Sequence, residues 1–430
     1  MRVCKKIELS QVQQIKDKLL TWSQQYREVV WLDANKYPQQ YSNYDAVLAV
    51  DAFTILQTDS VEAFNTLKEY QQTTKDWLFG YLTYDLKNDT ENLHSKNFDG
   101  LHFPELFFFQ PKKLFLIKEN SIEIQYLHMV DDELDADWEE IKAIKVLPIT
   151  LKEKEPIKIK LRLSKDSYFQ KFKEIHNHIQ RGDIYEINFC QEFYAENTTI
   201  NPINVYQKLN AISKPPFATF LKLADKYVLS ASPERYIKKQ GNQIISQPIK
   251  GTAKREEDPI KDAKLKQQLQ TDDKERAENI MIVDLVRNDL SKTATKGSVK
   301  VPELCEIYTF NQVHQMISTV TSKVTENKSP VEVLRTTYPM GSMTGAPKVS
   351  AMQIIEDVEV TKRGLYSGAI GYFTPENDFD FNVIIRSILY NKTEKYVSYS
   401  VGGAITIKAN AEAEYEECLL KAKAMRQALQ

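Results

Sequence analysis

The stretch "YVLSASPERYIKKQGNQIISQPIKGTAKR", residues 227–255, predicts a run of consecutive antiparallel strands. Its β-branched and aromatic runs are interrupted by a turn at Ser232 and by a second turn at Gly241. The last run leads into Lys250, which lies where a strand gives way to a turn, a place where rigid scaffolds often hold reactive groups. This arrangement predicts that Glu234 and Lys250 come together in one region of a sheet.

The first third of the chain also predicts strands, because it contains several β-branched and aromatic runs. These runs are "VVWLDAN", "YDAVLAVDAFTIL", "WLFGYLTYDL" and "ELFFFQPKKLFLI". Between Asp131 and Lys160 the sequence becomes dense in charge and contains the breakers Pro148 and Pro156. We therefore expect a boundary near residue 155, with residues 1–155 forming an N-terminal subdomain and residues 156–430 forming the larger remainder.

Composition narrows the class of protein. The 430 residues carry 57 Lys and Arg against 59 Asp and Glu, and this near-neutral balance of −2 argues against a nucleic-acid-binding surface. The four cysteines are too far apart for a zinc site and too few for a disulfide scaffold. No apolar run is long enough to span a bilayer, and the charged start lacks a signal sequence. We expect a cytoplasmic protein that binds neither nucleic acid nor membrane.

Two segments predict long helices with paired glutamates. In "TDDKERAENIMIVDLVRNDLSK", Glu275 and Glu278 are three residues apart and share a face. In "ANAEAEYEECLLKAKAMRQAL", Glu414, Glu417 and Lys421 also share a face. Four carboxylates at one point would suit a hard cation such as Mg²⁺, whereas the alternative is two solvated helix surfaces. A di-iron site is disfavoured because neither helix has the required Glu-x-x-His spacing.

Three other motifs have structural explanations. The histidines of "HNH", residues 176–178, are two apart on a predicted helix and therefore face different ways, which disfavours a metal site. The glycine-rich "YPMGSMTGAPKVS", residues 338–350, lacks the phosphate-loop spacing, so close packing is expected. Gly402 and Gly403 interrupt a strand pattern, which indicates a bulge or the close approach of a ligand.

Taken together, the segments resemble the chorismate-utilising enzymes, the family of anthranilate synthase component I, aminodeoxychorismate synthase component I, and the isochorismate and salicylate synthases. The resemblance covers the chain from about Tyr168 to the C-terminus, and more loosely the segment "LFGYLTYDL". The motifs that carry it appear in order as "GDIYEINFCQ", "SASPERY", "PIKGT", "RAENIMIVDLVRNDL", "VHQMISTV", "PMGSMTGAPK", "RGLYSGAIGYF", "VIIRS", "VGGAIT" and "AEYEECLLKA".

The resemblance implies an α/β fold, a layered α/β/β/α body with two packed β-sheets and the active site between them. Residues 156–430 would be the chorismate-binding catalytic region, and residues 1–155 would be similar to the N-terminal region of anthranilate synthase component I.

The resemblance also implies a Mg²⁺ ion that holds one substrate carboxylate. Glu278 and Glu417 would be its ligands, with Glu275 and Glu414 beside them, and Glu234 would be the general acid for the departing 4-hydroxyl. The expected substrate-binding residues are Arg386, Tyr366, Lys421, Thr252, His314 and the backbone at Gly402 and Gly403.

Lys250 decides the expected reaction. In the family, lysine in "PIKGT" marks the aminodeoxychorismate synthase branch, whereas anthranilate and isochorismate synthases carry alanine there. The implied role is a transient nucleophile at C2 of chorismate, which ammonia then replaces by adding at C4. Glu186 stands where relatives usually have glutamine, and it either holds Lys250 as an ammonium or relays a proton.

We therefore expect the chain to convert chorismate and ammonia to 4-amino-4-deoxychorismate for folate synthesis. A separate glutamine amidotransferase subunit would supply the ammonia, because no cysteine has glutaminase-like surroundings. The alternatives are anthranilate synthase component I, which Lys250 disfavours, and a non-catalytic paralogue that binds chorismate or an amidotransferase. Isochorismate synthases place a lysine at the position of Glu186, which disfavours that activity.

Overall fold

The computed structural model describes residues 2–37, 41–146, 157–310 and 313–430. Within these residues the chain forms twenty strands and eleven α-helices. The strands are β1 (Arg2–Glu8), β2 (Glu28–Asp33), β3 (Ala46–Thr58), β4 (Leu78–Leu82), β5 (Leu106–Lys118), β6 (Ser121–Leu127), β7 (Lys160–Leu161), β8 (Glu186–Ala195), β9 (Phe217–Leu223), β10 (Lys226–Ser232), β11 (Arg235–Gln240), β12 (Gln243–Ser246), β13 (Ile249–Lys254), β14 (Lys300–Thr309), β15 (Val313–Lys323), β16 (Gly345–Ala346), β17 (Ala369–Phe373), β18 (Phe379–Val383), β19 (Ser387–Asn391) and β20 (Tyr396–Thr406). The helices are α1 (Val12–Trp22), α2 (Ala63–Thr74), α3 (Lys87–Thr90), α4 (Leu134–Ala143), α5 (Lys165–Arg181), α6 (Pro202–Ser213), α7 (Pro259–Thr271), α8 (Asp273–Ser291), α9 (Pro330–Thr337), α10 (Lys348–Val358) and α11 (Ala411–Ala428).

The strands pair in an antiparallel network with two arms that meet at β5. One arm runs β8, β20, β19, β10, β9, β2, β3 and β5. The other arm runs β5, β4, β17, β18, β11, β12 and β15, and β13 and β14 also pair with β15. The two expected sheets are thus present, and β5 joins them into one continuous network.

The two arms pack against each other through a shared apolar core. One cluster of buried side chains contains Val30 and Leu221 from the first arm and Phe108, Ile237 and Phe381 from the second. A second cluster lies between the first arm and the helices α1, α6 and α11, and α8 packs against β15 on the second arm. The expected α/β class and layered arrangement are confirmed.

Strands from the beginning of the chain pair with strands from its later part, since β2 pairs with β9 and β4 pairs with β17. The boundary that we expected near residue 155 lies in residues 147–156, outside the described residues. The division into 1–155 and 156–430 therefore stays a prediction.

The local predictions around the site are confirmed. The stretch 227–255 forms β10 to β13. Helix α5 ends at Arg181, and Gly182 caps it in a left-handed conformation with a φ of 84°. Asp272 caps α8 by accepting a hydrogen bond from the backbone of Glu275, and Asn410 caps α11 in the same way. These caps place Glu275 and Glu414 in the first turns of the two helices that carry the paired glutamates.

No helix in the described parts of the chain has both the length and the apolar character needed to cross a membrane.

Candidate active site

Lys250 and Glu186 form a buried ion pair. Glu186 is the first residue of β8, and Lys250 lies in β13 where its pairing with β15 shifts register. The Lys250 Nζ is 2.7 Å from Glu186 Oε1, and the side chains are 12% and 1% exposed. Gly251 follows with a φ of 87°, a left-handed conformation that favours glycine. The predicted turn after Lys250 is therefore an irregular segment of β13, and it brings the amine of Lys250 to β8.

Acidic neighbours hold the Lys250 amine in its charged form. Burial alone would lower the pKa of Lys250, but the charges of Glu186, Glu278 and Glu234 raise it above its ordinary value. The second carboxylate oxygen of Glu186 is buried and accepts no hydrogen bond within the described structure. That oxygen is available to a ligand or to a proton.

Glu234 lies in the turn between β10 and β11. The strand pattern of the sequence predicts that it is close to Lys250. It is 4% exposed, and burial raises its pKa to about 7, although Ser342 and the charge of Lys250 oppose that rise. A carboxyl group with this pKa is protonated in a substantial fraction of molecules at neutral pH, as a general acid requires. The expected proximity of Glu234 and Lys250 is found in the structure.

The glycine-rich stretch 338–350 is a packing element that reaches the site. A side chain at Gly345 would collide with the backbone oxygen of Glu186, so β16 can lie close against β8 only with glycine there. Lys348 is buried against Asp289 and donates to the carbonyl oxygens of Thr337 and Pro339. The expected packing role is found, and the same segment supplies Ser342 to Glu234.

A buried arginine ties this segment to β8. The Arg363 guanidinium donates to the carbonyl oxygens of Asn188 at 2.7 Å and Met343 at 2.6 Å. Glu359 binds Arg363 and accepts a hydrogen bond from the backbone of Cys190 at 2.9 Å. These contacts hold the part of β8 that pairs with Gly402 and Gly403 of β20.

The four helix glutamates lie near one another across α8 and α11. Glu278 is 7% exposed, and burial raises its pKa to about 7 against the charge of Lys250. Burial and the charge of Glu417 likewise raise the pKa values of Glu275 and Glu414. One lysine contacts both Glu278 on α8 and Glu414 on α11, so the two E-x-x-E faces point toward a common region, with the Glu417 side chain 44% exposed at its edge.

Lys274 lies between the two helices. Its Nζ is 3.1 Å from Glu414 Oε1 and 3.8 Å from Glu278 Oε1. Sequence reasoning missed this residue, although its position four residues before Glu278 on a helix was a usable signal.

Lys421 links α11 to the strand that carries the glycine pair. Its Nζ is 2.6 Å from Glu417 Oε1 and donates to the carbonyl oxygen of Gly402 at 2.9 Å. Burial would raise the pKa of Glu417, but Lys421 holds it below its ordinary value. The sequence prediction placed these three residues in one site, and the structure brings them together.

The glycines of β20 are explained by close neighbours. The pairing of β20 with β8 continues in regular register from Val397 to Thr406, so the expected bulge is absent from this pairing. A Cβ at Gly402 would lie 2.6 Å from Cys190 Sγ, and a Cβ at Gly403 would lie 3.2 Å from Glu414 Oε2. Cys190 was not identified from the sequence, because its position opposite Gly402 depends on strand register.

Arg386 and Tyr366 lie on the side of the site nearest Glu417. Arg386 has a φ of 53°, an unusual conformation for a non-glycine residue and one that is enriched at functional sites. Burial lowers the pKa of its guanidinium, while Tyr366 and Glu417 act in the opposite direction. Among the described residues Arg386 forms no salt bridge, although the charge of Glu417 acts on it. Its role in binding a substrate carboxylate stays a prediction.

The remaining predicted residues have other contacts. His314 is buried, with Nε2 3.0 Å from Asp262 and Nδ1 3.0 Å from Thr309. Thr252 is exposed and pairs with Gln315. A substrate contact by either residue stays a prediction. The two histidines of the "HNH" motif contact different partners, the carbonyl oxygen of Ile407 and the carboxylate of Asp183.

The glutamates have the right chemistry for Mg²⁺ but are not arranged as a closed ligand set. Within the described ranges, no three His, Cys, Asp or Glu side chains are close enough together to hold a metal ion. Glu278 Oε1 is nevertheless buried without a hydrogen-bond partner, and carboxylate oxygens are the ligands that Mg²⁺ prefers. The donor set therefore fits a hard cation, while Lys274 holds two of its members.

Comparison with known proteins gives a family match. Residues 27–427 match the family described as chorismate binding enzyme. The chain is 39% identical over 255 residues to aminodeoxychorismate synthase component 1 of Salmonella typhimurium, and the match covers 59% of this chain and 56% of that protein. It is 30% identical over 366 residues to the protein of the same name from Bacillus subtilis, covering 82% of this chain and 76% of that one.

The fold agrees as well. The structure matches anthranilate synthase component I from Streptococcus pneumoniae with a TM-score of 0.79 and 23% identity, over 91% of this chain and 93% of that chain. The anthranilate synthase component I-like fold is thereby confirmed. The chain spans little more than half the length of the Salmonella relative. The family match over almost the whole length, together with the fold, shows that this chain belongs to the chorismate binding enzymes.

Proposed function

We propose that the protein converts chorismate and ammonia to 4-amino-4-deoxychorismate. The observation that carries this proposal is the buried ion pair of Lys250 and Glu186, next to Glu234. An amine at this place provides a nucleophile for the amination reaction. The two relatives named aminodeoxychorismate synthase component 1 support the same assignment.

The proposed reaction begins with a proton transfer. Lys250 is an ammonium in the resting site, and Glu186 at 2.7 Å is the acceptor that frees its lone pair. The Nζ then forms a bond to C2 of chorismate, the two ring double bonds shift, and the C4–O bond breaks. Glu234 donates a proton to the departing oxygen, which leaves as water.

Ammonia completes the substitution. It adds at C4, the double bonds shift back, and the bond between C2 and Nζ breaks, which returns the electron pair to Lys250. Glu186 returns its proton to the amine, and the ammonium group of the product or solvent reprotonates Glu234. The net reaction consumes one chorismate and one ammonia and releases one water.

The carboxylate ends of chorismate would be held on the other side of the site. Arg386 and Lys421 would bind these carboxylates, and Tyr366 and the backbone at Gly402 would lie beside them. Glu278 and Glu417, with Glu275 and Glu414, would hold Mg²⁺. When bound, this ion would neutralise a substrate carboxylate and fix its orientation.

The ammonia source would be a separate glutamine amidotransferase subunit in the cytoplasm. Glutaminases of this kind need a reactive cysteine thiolate. Burial raises the pKa of Cys190 to about 12, and Cys305 and Cys418 are also buried with raised pKa values. None of these three thiols is suited to that reaction.

Product analysis tests the proposal. The purified chain is incubated with chorismate, MgCl₂ and an ammonium salt, and the products are identified by mass spectrometry. We expect 4-amino-4-deoxychorismate. Anthranilate as the main product would establish anthranilate synthase activity instead, and chorismate binding without turnover would indicate a non-catalytic paralogue. A parallel reaction with glutamine in place of ammonium should give no product without a partner subunit.

A further inference from the structure

Lys274 is placed to act on the acidic cluster formed by Glu275, Glu278, Glu414 and Glu417. It belongs to α8, yet its closest carboxylate, at 3.1 Å, is that of Glu414 on α11. Its side chain is 41% exposed, so the ammonium lies at the edge of the cluster, with water on its other side. Lys274 is thus a cation that connects the two glutamate helices and can move away from them.

The charge of Lys274 reaches the whole cluster. It lowers the pKa values of all four glutamates against the effects of burial and mutual repulsion. In return, Glu414, Glu278 and Glu275 raise the pKa of Lys274, although burial would lower it. Lys250 also lowers the pKa values of Glu275, Glu278 and Glu417, but its amine forms an ion pair with Glu186. Lys421 pairs with Glu417 on its own helix, whereas Lys274 lies 3.8 Å from Glu278 on α8 and 3.1 Å from Glu414 on α11. Lys274 is therefore the cation that bridges the two helices within this cluster.

We infer that Lys274 is an internal counter-cation that occupies the acidic cluster in the metal-free protein and leaves it when Mg²⁺ binds. The inference rests on the Mg²⁺ assignment in the proposed function. An ammonium and a divalent cation that approach the same carboxylate oxygens repel each other, and Glu414 and Glu278 would be shared by both. Without any cation, four neighbouring carboxylates would repel one another across α8 and α11.

The role predicts that Lys274 opposes Mg²⁺ binding. Because the ammonium must be displaced, its removal should favour the metal. Replacing Lys274 by glutamine keeps most of the side chain and one hydrogen-bond donor but removes the charge. We expect the Kd of Lys274→Gln for Mg²⁺, measured by isothermal titration calorimetry at constant ionic strength, to be about fivefold lower than that of the wild type.

A matched control separates this local effect from a general change in net charge. Lys254 lies on β13, is 75% exposed and pairs with Glu256. Lys254→Gln removes the same charge and should change the Kd for Mg²⁺ by less than about twofold, because an exposed charge is screened. An unchanged or higher Kd for Lys274→Gln would overturn the inference, as would an equal decrease in both variants.

Chemical labelling tests the displacement directly in the wild-type protein. The acylation rate of Lys274 by an amine-reactive ester is measured by peptide mapping with and without MgCl₂. Mg²⁺ should increase the rate several-fold, because the released amine is no longer held by two carboxylates, while the rate at Lys254 should stay constant. A decrease at Lys274 would show that the amine stays in the cluster and would contradict the displacement.

The outcomes distinguish this inference from the proposed function. If the wild type binds Mg²⁺ and Lys274→Gln binds it no more tightly, the role of Lys274 is wrong and the amination assignment stands. If the wild type does not bind Mg²⁺ and aminates chorismate in a chelator, the metal assignment is wrong and the role of Lys274 falls with it.

Discussion

The Nζ of Lys250 lies 2.7 Å from Glu186 Oε1, in a pair so deeply buried that Glu186 is only 1% exposed. The relationship has two opposite effects on the proposed chemistry. It holds the amine as an ammonium, which is not a nucleophile, and it also provides an acceptor for the proton within hydrogen-bonding distance. The pH dependence of a Glu186 variant separates these effects.

Glu186→Gln should convert an internal proton transfer into a dependence on external pH. Without the carboxylate, the pKa of Lys250 falls from its raised value, yet the amine must lose its proton to solvent before it can react. We expect kcat at pH 7.5 to fall and then to rise about tenfold per pH unit until the pKa of Lys250 is reached. The measurement is kcat between pH 7 and 9.5 for both proteins.

A Glu186→Gln profile parallel to that of the wild type would show that Glu186 does not accept the proton. Increased activity at neutral pH would show that the ion pair only hinders the reaction.

Glu234→Gln should stabilise the protein while it removes the general acid. Since burial raises the pKa of Glu234 to about 7, the folded state retains a proton that the unfolded chain releases near pH 4.5. Wild-type stability therefore decreases as pH rises from about 4.5 to about 7, by up to about 3 kcal/mol. Glutamine does not titrate, so the variant should escape this loss.

Thermal or urea unfolding of wild type and Glu234→Gln at pH 5 and pH 8 tests the sign. The variant should be more stable at pH 8 and nearly equal at pH 5, with amination strongly reduced at both. A variant less stable than wild type at pH 8 would mean that the ionised carboxylate is favourably held in the folded protein.

Some of this site could be predicted from the sequence, because it depends on local geometry. The strand and turn pattern of residues 227–255 brings Glu234 near Lys250, and helical spacing puts Glu275 and Glu278 on one face. The relation between Lys274 and Glu414 could not be predicted, since it depends on how α8 and α11 are placed across 140 residues of sequence. Likewise, the contact of Gly402 with Cys190 depends on the register between β20 and β8.

Glu278→Gln and Glu417→Gln should each abolish the Mg²⁺-dependent reaction. Each change would remove one charged oxygen ligand of the proposed Mg²⁺ while it keeps the size of the side chain, and hard cations depend on charged oxygens. Turnover is measured while MgCl₂ is titrated against a chelator, with circular dichroism as a check on folding. Full activity of the wild type in excess chelator would contradict the metal assignment.

Gly402→Ala should impair substrate binding through a steric clash. The new Cβ would lie 2.6 Å from Cys190 Sγ, closer than real contacts allow, and overpacking of this kind typically costs about 1–3 kcal/mol. We expect a higher KM for chorismate, because the displaced strand carries the carbonyl that Lys421 binds.

The double variant Gly402→Ala with Cys190→Ala tests the cause, since it removes the sulfur that the new methyl group meets. It should recover part of the lost affinity. Recovery should be incomplete, because the Cβ would also lie 3.1 Å from the side chain of Asn188. A double variant as impaired as Gly402→Ala would show that the sulfur is not the obstacle.

Lys250→Ala gives the sharpest test of the proposed chemistry. If the amine forms the bond to C2, its removal should reduce amination at C4 by about a thousandfold or more, as expected for the loss of a covalent nucleophile. Chorismate binding should change little, because in the proposed site Arg386 and Lys421 would hold the carboxylates away from Lys250. Rates are measured with chorismate, MgCl₂ and ammonium, and binding is measured separately by calorimetry.

The exposed Lys254→Ala is the matched control and should behave as wild type. The space left by the amine would also admit water or ammonia to C2, so traces of isochorismate or anthranilate are expected from the variant. Rapid quenching of the wild type should in addition reveal the enzyme–substrate adduct by intact-protein mass. Unchanged formation of 4-amino-4-deoxychorismate by Lys250→Ala would mean that Lys250 only balances the charge of Glu186.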